Sequence, residues 1–260
     1  MSTYMYGVIC RPGTRSKLSR QVLGTGVGEP KSPVKLVDEG DLAAVVSPVE
    51  ADEIGEAAGA RALRRDMKAH SDVLARVFDH LTVLPARFGV VFPDEESLAR
   101  EFLRPEHARL LELLDRLNGL VELSVRAELV EEKAIEEIAR QSPQMVDRIE
   151  RSNRKPTGAR YHERIELGRQ IALRIQALRD QDAQWLTDRL GSAARDIRAA
   201  DPQSDLTIFR GSVLVGQKEL DRFDALLEEI AREAGSRMKL ACVGPLPPFS
   251  FVDLRVTGGA

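Results

Sequence analysis

The sequence predicts an α+β protein of two domains, each a variant of the ferredoxin-like (split βαβ) plan. Three observations carry that expectation. Short runs of β-branched and aromatic residues are interspersed with longer amphipathic stretches, so strands and helices mix along the chain. The second half reads strand, helix, strand, strand, helix, strand, the order of the split βαβ motif, with a lengthened first helix. The first half reads strand, loop, strand, strand, helix, strand, the same plan with a loop in place of its first helix. A division near Gly119 gives an N-terminal domain over 1–118 and a C-terminal one over 119–260, the latter ending in a Pro-rich ordered tail.

The elements follow in order. "YMYGVICR" is rich in strand formers and predicts a strand over Tyr4–Cys10. Residues 11–33 hold many turn residues and read as a loop with at best a short helical turn. Val34–Val37 and Leu42–Val46 form a hairpin around the Gly40-containing "DEGD". Leu63, Met67, His70, Leu74, Val77 and Leu81 recur at helical spacing and define one face of a long helix. "TVLPARFGVVF" is extended. Residues 93–119 read as helix broken at Pro105, with acidic residues in the first turn and Gly119 as the stop.

Leu120–Val130 alternates cleanly as a strand. Residues 131–158 begin as helix and end in the turn-prone "RSNRKPTG". Ala159–Ala199 carries a stripe of Leu167, Ile171, Ile175, Leu178, Leu186, Leu190, Ala193 and Ile197, interrupted by Asp182. Forty residues of helix would span about 60 Å, so this element must project, bend or be covered by a partner. "DLTIFRGSVLVG" reads as two short strands around Arg210–Gly211. A helix with Leu220, Phe223, Leu227 and Ile230 inward follows, stopped by Gly235, and "RMKLACVG" is the last strand.

Composition sets limits on function. The chain has 260 residues, 43% hydrophobic and 30% charged, with 38 Lys and Arg against 41 Asp and Glu. Interspersed, nearly balanced charge argues against a general nucleic-acid binder. No window reaches the ~18 apolar residues of a membrane span, and the N-terminus lacks the pattern of a signal peptide, so a cytoplasmic protein is expected. Cys10 and Cys242 sit in apolar runs and are expected as buried thiols on strands.

Chemistry-bearing patterns are thin. "GTGVGEP" lacks the Lys-Ser/Thr of a phosphate loop and opens no helix, which makes it a flexible surface loop. His70 lies on an apolar helix face and is expected to be a packed or hydrogen-bonded imidazole rather than a ligand, while His80, His107 and His162 sit among charges. Glu136/Glu137 and Glu228/Glu229 are adjacent, and neighbours on a helix point apart. No catalytic residue, metal ligand or cofactor is indicated, and no enzyme is expected.

Two stretches stand out: "VLPARFGVVF" (83–92) and "VGPLPPFSFVDL" (243–254). Pro247 and Pro248 would stiffen the tail and present Phe249 and Phe251 on one side of an extended chain. Such a segment either folds back over a core or offers an apolar platform to another protein. "VLPARFGVVF" after the His70 helix, then "GLVELSV", then "GPLPPFSFV" resemble, in order and spacing, the gas vesicle protein GvpF/GvpL family over nearly the whole chain. Leu246 and Phe249 depart from the Trp and Tyr that the family favours there.

The resemblance implies a non-enzymatic protein of two α+β domains, the first a modified ferredoxin fold. It implies a cytoplasmic, vesicle-associated accessory to gas vesicle assembly that binds the small hydrophobic shell-forming protein, and further accessory proteins, as a chaperone or nucleation factor. A minor component retained in the shell is the alternative. A small-molecule-binding or enzymatic ferredoxin-like protein is the rival from another class. Candidate partner-binding or domain-locking residues are Phe88, Phe92, Pro247, Pro248, Phe249 and Phe251, with Leu178 and Trp185 on the long helix.

Overall fold

The computed structural model describes all residues except 12, 14–17, 19, 29, 51–53, 55–58, 145, 146, 148–160 and 255–260. The predicted turn at 151–158, the helix start at 159 and 160, and parts of the 11–33 loop lie outside the described residues. Two antiparallel sheets with helices make up two compact units, Met1–Glu122 with Pro245–Ala260, and Leu123–Gly244. The tail from Pro245 onward, grouped by the sequence reading with residues 119–260, therefore packs with the first unit.

The first unit is built on β1 (Ser2–Cys10), which runs between β3 (Leu42–Val49) on one side and β4 (Val83–Pro85) and β5 (Val91–Phe92) on the other. β2 (Lys35–Glu39) closes the far edge in the order β2-β3-β1-β4. Seven consecutive residues, Thr3 to Ile9, are buried, which is why β1 alternates poorly: a strand covered on both faces has no polar side to show. A short helix, α1 (Arg20–Leu23), stands in the long loop.

Helix α2 (Gly59–Phe78) packs on β1 and β4, but through Asp66, His70, Val73, Leu74 and Val77. His70, Leu74 and Val77 of the predicted stripe are buried, whereas Met67 is exposed, Leu81 lies beyond the helix, and Asp66 and Val73 complete the inward face. The expected break at Pro105 is absent. α3 (Glu95–Leu98) passes through a π-helical turn, Ala99–Leu103, into α4 (Arg104–Arg116), and the Arg104 N–H donates to the Ala99 carbonyl. The wider turn lets Pro105 enter in the first turn of α4, where its missing N–H costs least.

In the second unit β6 (Leu120–Leu129), β7 (Asp196–Ala199), β8 (Thr207–Gly216) and β9 (Met238–Leu246) lie in the order β7-β8-β6-β9. α5 (Glu131–Gln141) packs on α6 (Tyr161–Gly191), and α7 (Leu220–Ala234) turns Phe223, Leu227 and Ile230 inward. Two expectations are corrected here. The long helix ends at Gly191, and Ile197 is a strand residue paired with Val213, because the Arg195 N–H donates to the Leu214 carbonyl and starts a ladder. β8 runs unbroken through Arg210–Gly211, so the expected pair of strands is one strand, and β7 supplies the second. The predicted element order survives with different residues filling it.

Asp182, the interruption in the α6 stripe, is buried and receives both Arg237 Nε, at 3.0 Å, and Arg237 Nη2, at 2.8 Å. A bidentate pair of this kind satisfies a carboxylate that an apolar stripe could not. Cys10 and Cys242 are free and exposed, against the expectation of buried thiols: one ends β1, the other sits on the edge strand β9.

Candidate functional site

The "VLPARFGVVF" segment pairs with β1 at both ends, and between the pairings it leaves the sheet. Pro85 closes β4, Gly89 adopts φ +91°, a backbone conformation that disfavours side chains, and Phe88 swings toward the α2 side. Its ring lies 5.8 Å from His70 and 6.1 Å from Tyr4, centroid to centroid. The Gly89 N–H donates to the Tyr4 hydroxyl at 3.1 Å, so that hydroxyl keeps its own proton for His70 Nδ1 at 2.9 Å. With that hydroxyl as donor, the neutral imidazole carries its hydrogen on Nε2, which has no partner in good hydrogen-bond geometry among the described residues. Burial pushes the His70 pKa down to about 4, against the pull of the Ala86 carbonyl.

Within "GTGVG", expected as a flexible surface loop, Thr25 is exposed but Gly26–Gly28 are buried against this network. The Val27 N–H donates to the Tyr6 hydroxyl at 2.8 Å, and the Gly28 N–H to Asp66 Oδ1 at 3.3 Å. A Cβ on Gly26 would sit 1.9 Å from the Tyr6 hydroxyl oxygen, so only glycine fits. Tyr6 and Ser47 hydroxyls lie 2.9 Å apart. Tyr4, Tyr6, Asp66 and His70 are thus consumed in holding the first unit together.

The C-terminal segment is a clasp on that same unit. Pro247 and Pro248 are buried, and the chain then forms a 3₁₀ turn over Phe249–Phe251. Two residues of such a turn rotate side chains by roughly 240°, so the two phenylalanines do not share a side, contrary to the extended-chain expectation. Phe251 is 5% exposed and Phe249 is 37% exposed. The buried Glu122 carboxylate receives the Ser250 N–H at 2.7 Å and the Ser250 hydroxyl at 2.8 Å. Arg109 Nη2 donates to the Asp253 carbonyl at 3.0 Å. Phe92 is buried against Phe102, with ring centroids 6.1 Å apart.

The second unit presents a different surface. Along α6, Leu186 and Leu190 are fully buried, and Ile175, Leu178 and Trp185 pack on the unit's core. Arg189 lies over the Trp185 ring. Toward the other end the helix emerges: Ile165 is 54% and Leu173 is 52% exposed. They lie eight positions apart, on a flank away from the Leu167, Ile171, Ile175, Leu178 stripe, with the exposed, Glu166-paired Arg169 between them. Ala172 and Ala177 are exposed beside them. The sequence stripe pointed to the buried face and missed this flank. The signal that finds it is the pair of apolar residues off the main period.

Chemical alternatives are weak among the described residues, where no group of His, Cys, Asp and Glu is arranged to hold a metal ion. An open cavity of about 470 Å³ in the first unit has Leu81, Leu111 and Leu114 on its wall beside Cys10 and Asp115. Burial, with Asp115 and Asp41, pushes the Cys10 thiol upward, the wrong direction for a nucleophile.

The described residues provide surfaces for contact, and comparisons with known proteins identify the family. The sequence profile described as "Gas vesicle synthesis protein GvpL/GvpF" matches residues 2–253. Gas vesicle protein F of a Streptomyces species is 33% identical over 256 residues, covering 97% of this chain and 100% of that protein. Gas vesicle protein L of the same genus is 26% identical, covering 85% and 84%. The crystal structure of GvpF from an Anabaena species superposes with a TM-score of 0.73 at 21% identity, over 98% of this chain and 97% of that one, which is a likeness of fold. By a profile match over nearly its full length and a relative at one-third identity, the chain belongs to the GvpL/GvpF family of gas vesicle synthesis proteins.

Proposed function

We propose that this chain is an accessory factor of gas vesicle assembly that binds the hydrophobic shell-forming subunit as a chaperone or nucleation factor, working in the cytoplasm beside the growing vesicle. The observation that carries the reading is the pair of exposed apolar residues on α6, Ile165 and Leu173, flanking Arg169, on a chain of this family. Exposed apolar surface costs solubility, and it suits a protein that shields an apolar client before assembly. A helix flank can accept an amphipathic helix, and a sheet edge can accept a strand. Phe249 is a secondary contact on the first unit, while Phe251, Pro247 and Pro248 serve to hold the tail.

We also read both units as variants of the ferredoxin-like plan. What supports this is their common strand order: counted along each unit, the second, third, first and fourth strands are neighbours in both sheets. In the first unit the loop with α1 takes the place of the first helix.

The test is co-expression with the shell-forming protein in a host lacking other vesicle genes. The reading expects a soluble complex where the shell protein alone is insoluble. An insoluble shell protein and no complex would overturn it. Presence of this chain in washed, mature vesicles would identify a retained component instead.

A further inference from the structure

Among the described residues the edge strands of the two sheets differ in how they are protected. β2 carries Lys35, Asp38 and Glu39, each in an ion pair, with Glu95, Arg11 and Arg104 respectively. β4 has three residues and ends in Pro85. β7 has four residues, among them Asp196 and Arg198, which pair at 3.5 Å. Shortness, charge and proline are the devices that stop an edge from capturing a foreign strand. β9 has nine residues, Met238–Leu246, and from Leu240 onward it carries no charge. Nine residues extend for about 30 Å. Ala241 to Pro245 are all exposed, on both parities of the strand, and Val243 is 62% exposed. Met238 and Leu240 meanwhile hold the strand to the unit's core.

We infer that β9 is a strand-addition edge that accepts an uncharged, apolar, extended segment of the shell-forming subunit. Backbone N–H and C=O groups along Lys239–Gly244 would supply the ladder, and Pro245, without an N–H, ends it. The lack of charge selects the occupant. An apolar segment would bury exposed apolar surface against Ala241 and Val243, a gain that a charged segment cannot make. A contact confined to this edge falls short of the ~1,200–2,000 Å² that lasting interfaces bury, so the occupant is a transient client and not a permanent second copy. Naming the shell subunit as the source rests on the proposed function; the edge chemistry does not.

The experiment is amide hydrogen exchange on the full chain, read residue by residue, with a capped seven-residue peptide of alternating Thr and Val as the probe. A matched peptide with Glu replacing alternate Thr is the comparison. Every second amide within Lys239–Gly244 is expected to slow at least tenfold with the uncharged peptide and to stay unchanged with the charged one. Val243→Lys, which alters an exposed side chain, should weaken the effect about tenfold. No slowing, equal slowing by both peptides, or peptide-free slowing that grows with protein concentration (a second copy on the edge) would each overturn the inference. The two readings fail separately. Slowing by the peptide without co-purification of the shell subunit removes the assembly role and leaves the edge. A soluble complex in which these amides exchange unchanged removes the edge and leaves the role.

Discussion

The sequence marked the C-terminal segment and the long helix α6, through Leu178 and Trp185, as places for apolar contact with a partner, and the clasp and the emergent end of that helix have opposite fates. In the clasp, Pro247, Pro248, Phe251 and Leu254 are buried, and the polar atoms around them are taken up by Glu122 and Arg109. On α6, Ile165 and Leu173 remain in solvent while the other end of the same helix lies in a core. Prolines restrict the unfolded chain, so ordering such a tail costs little entropy and its phenylalanines are readily absorbed into a nearby core. A helix of 31 residues is about 46 Å long, more than its own unit can cover. Apolar composition alone does not separate the two cases. The length of rigid element available, set against the core it can reach, does.

The strongest way to break that contrast is at the clasp. Phe251→Ala should cost about 3–5 kcal/mol, the usual price of emptying a buried Phe site, whereas Phe249→Ala two positions away should cost under ~1 kcal/mol, as at most exposed positions. Thermal or urea melts of the two variants check this, and equal costs would mean that the clasp does not discriminate its two rings.

A second effect sharpens the description of the first unit. His70 has a pKa of about 4 when folded, below its ordinary 6.5. Below pH 6.5 the unfolded chain takes up that proton and the folded one does not, so the unfolded state binds more protons and stability falls with falling pH. The loss runs at ~1.4 kcal/mol per unit between about pH 6.5 and 4, roughly 3 kcal/mol in all. Subtracting the stability of His70→Phe from that of the parent at each pH isolates the term. A difference that does not change across that window would contradict a buried, neutral imidazole.

Much of this was legible in the chain. His70 stood on an apolar helical face and is a packed imidazole, and the strand-helix alternation gave the order of elements in the second unit. What was not legible depends on contacts distant in sequence. Asp182 looked like a flaw in a stripe until Arg237, 55 positions on, supplied its partner. The glycines at 24, 26 and 28 looked like a flexible loop, and the approach of Gly24 to Arg76, Gly26 to Tyr6 and Gly28 to Asp66 is a matter of tertiary packing. Glu122 sits on the polar parity of β6 and is buried only because Ser250 folds over it. The end of α6 was misplaced because Ala193 and Ile197 continue the helical period by chance, while the ladder with β8 decides their conformation.

The central claim, that the emergent flank of α6 is the contact for the shell-forming subunit, is tested most directly by Ile165→Ser with Leu173→Ser. Both side chains are more than half exposed, so the melt should move by less than ~1 kcal/mol in stability. Co-expression of this variant with the shell protein should yield an insoluble shell protein and no complex. A variant that melts like the parent and still brings the shell protein into solution would contradict the account.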